Sequence, residues 1–486
     1  MRRVGFVGLV AAQAISLFGT RMTAVAIPWL VLVTTGSATL TGMVGFAEML
    51  PYVLVCAAGG PLIDRLGPRR VSISMDLASA VVVGAIPVLH SSGHLTLGPL
   101  VALVVVAGTM RGLGDTAKRV VFPTAVAAGG ISLTRATSIQ DGLSRLANML
   151  GAPAAGLMIA ATNAPTVLVV DAVSFAAAGL LVSALVARAA SPRTDAEDGV
   201  PYLRQLRDGV GYVRRDRLVL GLLVMVFVTN LLDQAYGSVF VPVWAKDVFG
   251  SPVGIGLVAA AFGAGAVVGN LVYTAVGSRL PRWAPFTIGF LIAGTPRYAV
   301  LAADSPLWMV LGVSAVGGLA VAAVNPILSA VLYERVHERM RARVLGLSTA
   351  VAWAGIPLGG LLGGLLTDGI GLRGGLLVAG VLYLAATLLP LTGPVWREMD
   401  AGSPPSKADT EDGQRGRPRR RGAQDGGPQA HRDGPGRDEA GELVGRDATL
   451  GADHDDDVPG GGKVHSGQRR RGLLVQDEAE GTRAHP

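Results

Sequence analysis

The stretch GGPLIDRLGPRR, residues 59–70, decides how the chain is read. It closes one apolar run and precedes another, and between them it gathers Asp64, Arg65, Arg69 and Arg70, spaced by Gly60 and Gly67. Charge collected at the mouth of a hydrophobic segment marks a membrane boundary. Inside the bilayer each such charge costs about 2.5–3.5 kcal/mol on insertion scales. Glycines at these positions permit close backbone approach and a tight turn.

The composition supplies the context. Half of the 486 residues are hydrophobic and 16% are charged, against about 25% charged in soluble domains. Mean hydropathy is +0.47. From residue 4 to about 395 apolar stretches follow one another, each reaching the roughly 20 residues that a membrane-crossing helix needs. An all-α, multi-pass membrane protein with a polar extension follows. The net charge of +7 would suit a nucleic-acid binder, but the basic residues lie in the loops between apolar runs, as membrane topology demands. Nucleic acid is therefore not expected as a partner. The single cysteine, Cys56, excludes an intramolecular disulfide and a thiolate metal cluster. The first apolar run is too long for a signal-peptide core and reads as a retained helix.

Twelve spans are expected, at about 4–33, 39–63, 71–90, 95–120, 137–163 and 166–189, then 218–245, 252–278, 284–303, 307–331, 343–367 and 373–395. With a cytoplasmic N-terminus the inner loops hold Arg65, Arg69, Arg70, Lys118, Arg119, Arg135, the group from Arg193 to Arg217, Arg279, Arg282 and Arg335 to Arg343. The outer loops hold Lys246 and Arg373. One orientation thus satisfies nearly every loop, with both termini in the cytoplasm of a cell-membrane protein. The expected organisation is a six-helix bundle over 1–190, a linker over 191–217, a second six-helix bundle over 218–396 and a polar tail over 397–486. Within the linker, PYLRQLRDGVGYVRRDR spaces Leu203, Leu206, Val210 and Val213 as one helical face opposite basic residues, readable as a helix on the membrane surface or a solvated linker helix.

The two bundles follow one plan. A shift of 214 residues lays AIPWLVLVTTGSATLTG (26–42) on FVPVWAKDVFGSPVGIG (240–256), so that Pro28 meets Pro242, Gly36-Ser37 meets Gly250-Ser251 and Gly42 meets Gly256. Arg65-Leu66 then falls on Arg279-Leu280, and GAPAAGLM (151–158) resembles GIPLGGLL (355–362). Two pseudo-symmetric six-helix bundles place a site between the halves.

With these features the chain resembles the major facilitator superfamily over residues 4 to about 395. The opening stretch fits that family's G-x-x-x-D-R-x-G-x-R-R motif after the second helix through Gly60, Asp64, Arg65, Gly67, Arg69 and Arg70. Arg111 and Pro123 keep the spacing of its fourth-helix motif, although Asp115 stands where the family usually has glycine. The fifth-helix antiporter motif is kept in part: Pro153 and Gly156 fit beside Gly151, whereas Asn148, Ala152 and Leu157 replace glycines. IPWLVLVTTGSA and VTNLLDQAYGSVFVP look most like bacterial exporters of the macrolide and siderophore type. The resemblance implies alternating access, a conformational latch in the 60–70 loop, and coupling or substrate contact at Arg111.

Charges inside spans are candidates for function. Arg21 and Glu48 lie at similar depths in spans one and two, so an Arg21–Glu48 pair is expected. Asp233 lies at comparable depth in span seven. Glu48 and Asp233 are read as proton or cation-substrate sites, since burial and a nearby arginine pull a carboxylate's proton affinity in opposite directions. Their alternative is a static ion pair. Arg111 with Asp115, and Asp141 with Arg145, are spaced for structural pairs one helical turn apart. Asn325 of Asn325-Pro326 either lines the cavity or accompanies a kink. GAGAVVG (263–269) reads as helix packing rather than a phosphate loop. No catalytic, metal or cofactor motif is present.

The tail from 401, rich in Gly, Arg, Asp and Pro, cannot bury a core and is expected to be disordered. It reads either as a misread extension of the gene or as a basic regulatory or lipid-binding arm. The expected function is proton-coupled export of a small amphipathic molecule (a drug, antibiotic or siderophore-like metabolite) by a monomer in the lipid bilayer. Nutrient uptake and a non-transporting sensor or scaffold are the alternatives.

Overall fold

The computed structural model describes residues 4–186 and 202–400. Residues 1–3, 187–201 and the tail from 401 lie outside the described residues, and with them the expected disorder of that tail. No strand occurs among the described residues. The first half of the chain forms α1 (Val4–Thr35), α2 (Ala38–Ala58), α3 (Gly60–Leu66), α4 (Pro68–Ser91), α5 (Leu97–Gly129), α6 (Leu133–Ala161) and α7 (Ala164–Leu185). The second half forms α8 (Tyr202–Arg215), α9 (Arg217–Ala235), a π-helical turn (Tyr236–Phe240), α10 (Val241–Asp247), α11 (Val253–Val276), α12 (Trp283–Ala293), α13 (Thr295–Ala302), α14 (Leu307–Val321), α15 (Val324–Arg335) and α16 (Glu338–Leu388). Nine helical stretches among the described residues are long and apolar enough to cross a membrane.

Local chemistry sets the boundaries. At the first turn Gly36 takes φ +71°, which a β-carbon disfavours, and Ser37 then caps α2 by accepting from the Leu40 N–H. The matching turn of the second half is related but not identical: Gly250 takes φ +76° and Ser251 Oγ accepts from the Val253 N–H, while Pro252 leads into α11. Asn163 caps α7, and Asp216 caps α9 through the N–H groups of Leu218 and Val219. Gly371, at φ +77°, interrupts the 51-residue α16, so its two arms are separate crossings in the sequence pattern.

Several boundaries differ from the sequence expectation. The stretch 60–66 is helical, not a loop, and the turn falls at Gly67, at φ +87°. A β-carbon at Gly60 would meet nothing, whereas one at Gly59 would lie 2.6 Å from the Val55 carbonyl oxygen, so the close approach belongs to Gly59. The helix of span four continues to Gly129, which puts Lys118 inside the fold, 2% exposed, rather than in a loop. Residues 397–400, assigned by composition to the tail, end a 3-10 turn in which Trp396 and Met399 are buried. The expected linker helix forms as α8. Its Val213 packs with Val219, Leu332 and Val344, and the Tyr212 hydroxyl donates to the Arg335 carbonyl. Burial there raises the Tyr212 phenol above its ordinary range.

In the first half α1 packs on α6 and α7, α4 on α5 and α7, and α2 on α5. In the second half α11 packs on α14, and α16 on α9 and α13. The halves meet along α2 against α16 and α6 against α11. These seams depend on glycine: a β-carbon at Gly42 would lie 2.1 Å from the Gly360 carbonyl oxygen, and one at Gly256 would lie 2.8 Å from Pro153 Cα. GAGAVVG is likewise a packing surface, since a β-carbon at Gly265 would sit 1.9 Å from the Ala315 carbonyl oxygen.

Candidate functional site

The cavity of interest, about 560 Å³, lies between the halves. Arg21 of α1 and Arg145, Asn148 and Met149 of α6 face α9, the π-helical turn and α11 across it. Its apolar lining includes Val25, Val241, Ile255, Val258 and Phe262. The π-helical turn starts three residues after Asp233, where an extra backbone residue per turn widens the helix beside the cavity.

Asp233 and Arg297 form an ion pair on the cavity wall. The Asp233 side chain is 41% exposed and that of Arg297 only 10%. Arg297 is ringed by aromatic faces: its guanidinium carbon lies 4.7 Å from the Tyr236 ring and 5.5 Å from those of Tyr298 and Tyr383. Cation–π contact of this kind stabilises a buried guanidinium. The break that aims Arg297 comes from Gly294. A β-carbon there would lie 2.0 Å from the Tyr383 ring, and Pro296 restarts the helix as α13.

The first half holds its own polar cluster. Arg111 donates to Glu48 Oε1 at 2.6 Å, and its guanidinium carbon lies 4.7 Å from the Tyr52 ring. The expected Arg21–Glu48 pair is therefore replaced by Arg111–Glu48: α2 packs directly on α5, where a β-carbon at Gly108 would lie 2.1 Å from the Glu48 carbonyl oxygen. The Arg111–Asp115 pair is also absent, because Asp115 accepts from the Tyr52 hydroxyl at 3.2 Å. Glu48 is 7% exposed and does not line the large cavity.

Arg21 has no carboxylate within ion-pair distance among the described residues. It lines both the large cavity and a second one of about 270 Å³, with Gln13, Lys118 and Trp353. Arg145 does not pair with Asp141. It projects into the large cavity instead. Asn325 is exposed and lines neither cavity. It lies in the first turn of α15, just past a helix break at 322–323, which fits the kink reading.

Gly151, Pro153 and Gly156 all lie on α6 at close contacts. A β-carbon at Gly151 would lie 2.5 Å from Arg21 Cβ, and one at Gly156 2.8 Å from the Pro252 carbonyl oxygen. Gly151 thus makes room for Arg21, while Pro153 and Gly156 face the second half.

Charges the sequence reading passed over include Asp76, buried with Lys118 at 2.7 Å, and Asp171, 1% exposed and hydrogen-bonded to Thr23 at 2.6 Å. Their signal was available, since both carboxylates lie within apolar runs.

The two ends of the assembly differ. At the end bearing Gly36 and Gly250 the halves close on each other. Asp368, at the end of the first arm of α16, accepts from Ser37 Oγ at 2.8 Å and from the N–H groups of Ala38 at 3.1 Å and Thr39 at 2.8 Å, so it caps α2 across the seam. At the arginine-rich end Asp64, Arg65 and Arg70 are exposed, and none forms an ion pair among the described residues. Arg69 donates to the Val186 and Ser183 carbonyls of its own half, at 2.7 and 2.6 Å. Arg279, the counterpart of Arg65, is exposed as well. Further along that end Arg282 pairs with Glu334, which raises the Arg282 pKa.

The chain matches the Major Facilitator Superfamily model over residues 9–250 and 222–422. The chain belongs to the Major Facilitator Superfamily. Among its superfamily relatives, "Multidrug efflux pump Tap" of Mycobacterium tuberculosis is 30% identical over 385 residues, covering 79% of this chain and 91% of the relative. "Macrolide efflux protein A" of Streptococcus pyogenes is 21% identical over 401 residues, covering 82% and 98%. Among solved superfamily structures, the nucleoside transporter NupG shares the fold with a TM-score of 0.64 at 12% identity, covering 80% of this chain and 98% of that one. The bacterial homologue of the lysosomal transporter Spinster, described as inward-facing and unoccupied, has a TM-score of 0.60 at 14% identity, covering 83% and 99%.

Proposed function

We propose that the chain is a proton-coupled exporter of small amphipathic molecules, working by alternating access in the cell membrane. The reading takes the chain as twelve crossings in two six-helix bundles, over 1–190 and 218–396, with 191–217 as the link. The arginine-rich end is cytoplasmic, because inner loops collect Lys and Arg, and both termini lie on that side. Export is supported by the relatives named for multidrug and macrolide efflux. The observation that carries the proposal is the cavity between the halves, lined by Asp233 and Arg297, with the halves joined through Asp368 at one end. A site of this kind has to face one side at a time.

The present arrangement is the inward-facing one. Asp368 and the glycine seams close the outer end, and Asp64, Arg65 and Arg70 form no ion pair among the described residues. In the opposite state Asp64, Arg65 and Arg70 engage the second half and hold the inner end shut. This gives each state contacts the other lacks, as a two-state cycle requires. Asp233–Arg297 and Glu48–Arg111 are the proton-coupling candidates. In each pair the carboxylate and the arginine stand on different helices, α2 with α5 and α9 with α13, so a change of state can part them.

Reconstituted vesicles with an imposed pH gradient test this reading. Outward movement of a fluorescent amphiphile against its gradient is expected, collapsing when the proton gradient is dissipated. Inward accumulation under the same gradient would make the chain an uptake system. Absence of any movement by a folded protein would leave a sensor or scaffold.

A further inference from the structure

The charge balance of the large cavity points to the chemical class of its ligand. The charged groups lining it are Arg21, Arg145, Asp233 and Arg297, with the neutral Tyr236 beside them. Asp233 neutralises Arg297. Neither Arg21 nor Arg145 has a carboxylate within ion-pair distance among the described residues. Asp115 lies across the smaller cavity that Arg21 also lines, but accepts from Tyr52, and Asp141 does not reach Arg145. Two uncompensated guanidinium groups therefore face a space walled by apolar helices.

Both groups are exposed to the cavity and so within reach of a ligand, and one that brings the opposite charge is drawn to them electrostatically. The guanidinium fork matches a carboxylate's two oxygens, so the attraction is directional as well as electrostatic. Opposite these cations the wall offers Val241, Ile255, Val258 and Phe262, which suit an apolar body of drug size. Gly151 holds the arrangement in place, because any larger residue would displace the Arg21 stem.

We infer that the preferred substrate is an amphiphile with a carboxylate or equivalent anionic group, free or as part of a zwitterion, and that Arg21 and Arg145 receive that group. This rests on the export reading for its physiological meaning, but as a statement about binding it stands separately.

The test uses one fluorophore in three charge states on purified full-length protein in detergent: dansylglycine, its carboxamide, and dansylcadaverine. The carboxylate is expected to bind at least about tenfold tighter than the other two. Arg21→Gln with Arg145→Gln should erase the preference. Arg21→Lys with Arg145→Lys should keep most of it, and Arg373→Gln, far from the cavity, should leave it intact. Equal binding of the three, tighter binding of the cation, binding of none, or a preference surviving in the double glutamine variant would overturn the inference. Should that variant not fold, the order of the three affinities in the unaltered protein decides alone. Vesicle flux separates the two proposals. Movement of the cationic or neutral probe without the anion sinks the inference and spares export. Selective anion binding without movement of any probe does the reverse.

Discussion

At the scale of single residues, the buried pair Glu48–Arg111 sets the sharpest expectation. Removing one partner of a buried ion pair strands the other and costs about 3–5 kcal/mol, whereas replacing both with apolar groups of similar size is often neutral. Glu48→Gln and Arg111→Gln should each lower the melting temperature in detergent, and Glu48→Leu with Arg111→Met should restore most of the loss. If Glu48 also carries protons, the restored double variant remains transport-inactive. Recovered stability together with full proton-driven export would reduce the pair to a structural role. A second residue-scale prediction concerns Gly151. With a β-carbon destined for 2.5 Å from Arg21 Cβ, Gly151→Val should weaken dansylglycine binding more than it lowers thermal stability, a split read by titration and calorimetry on one preparation. The sequence identified every one of these charged groups as notable but paired them by depth. Depth alone cannot tell which neighbouring helix a side chain meets, so it gives Arg21 the acid that α2 presents to Arg111 of α5.

At the scale of elements, the cap on α2 is the feature with measurable consequences. A carboxylate at a helix N-terminus satisfies free N–H groups and complements the helix dipole, and losing such a cap typically costs about 0.5–2 kcal/mol. Here the cap comes from the other half of the molecule, so its loss weakens one conformational state and not the fold. Asp368→Ala should move the population toward the outward-facing state by roughly two- to thirtyfold, the factors to which about 0.5–2 kcal/mol corresponds. Spin labels on residues 35 and 369 would report the added long-distance component; an unchanged distance distribution would refute the role. The capping turn Gly36-Ser37 was legible in the sequence, through a residue that tolerates positive φ followed by a good capping residue. Asp368 was not, because nothing in its neighbourhood shows that it reaches a segment more than three hundred residues away.

At the scale of the whole molecule, the two ends behave as opposed latches. Asp64→Asn should favour the inward-facing state that Asp368→Ala disfavours, and the double variant should return the distance distribution toward that of the unaltered protein while export stays impaired. Two changes that shift the population in the same direction would sink the opposed-latch reading. Gly42→Val makes the complementary case: its side chain would collide with the Gly360 carbonyl, so closure at that end should fail outright and export should cease without unfolding.

Hydrophobic run length, the distribution of arginine, the internal shift of 214 residues and the 60–70 motif were enough to determine an all-helical superfamily member. These are properties of one dimension: a bilayer reads apolar length and loop charge segment by segment, and a duplicated plan leaves a constant offset. What only the tertiary structure decided is which charges meet. The Arg111–Glu48 and Arg297–Asp233 pairs, the uncompensated Arg21 and Arg145, and the Asp368 cap on α2 all join helices far apart in the chain. Helix rotation and the glycine-permitted approach of neighbouring backbones set those meetings, and both are outcomes of packing the whole bundle at once.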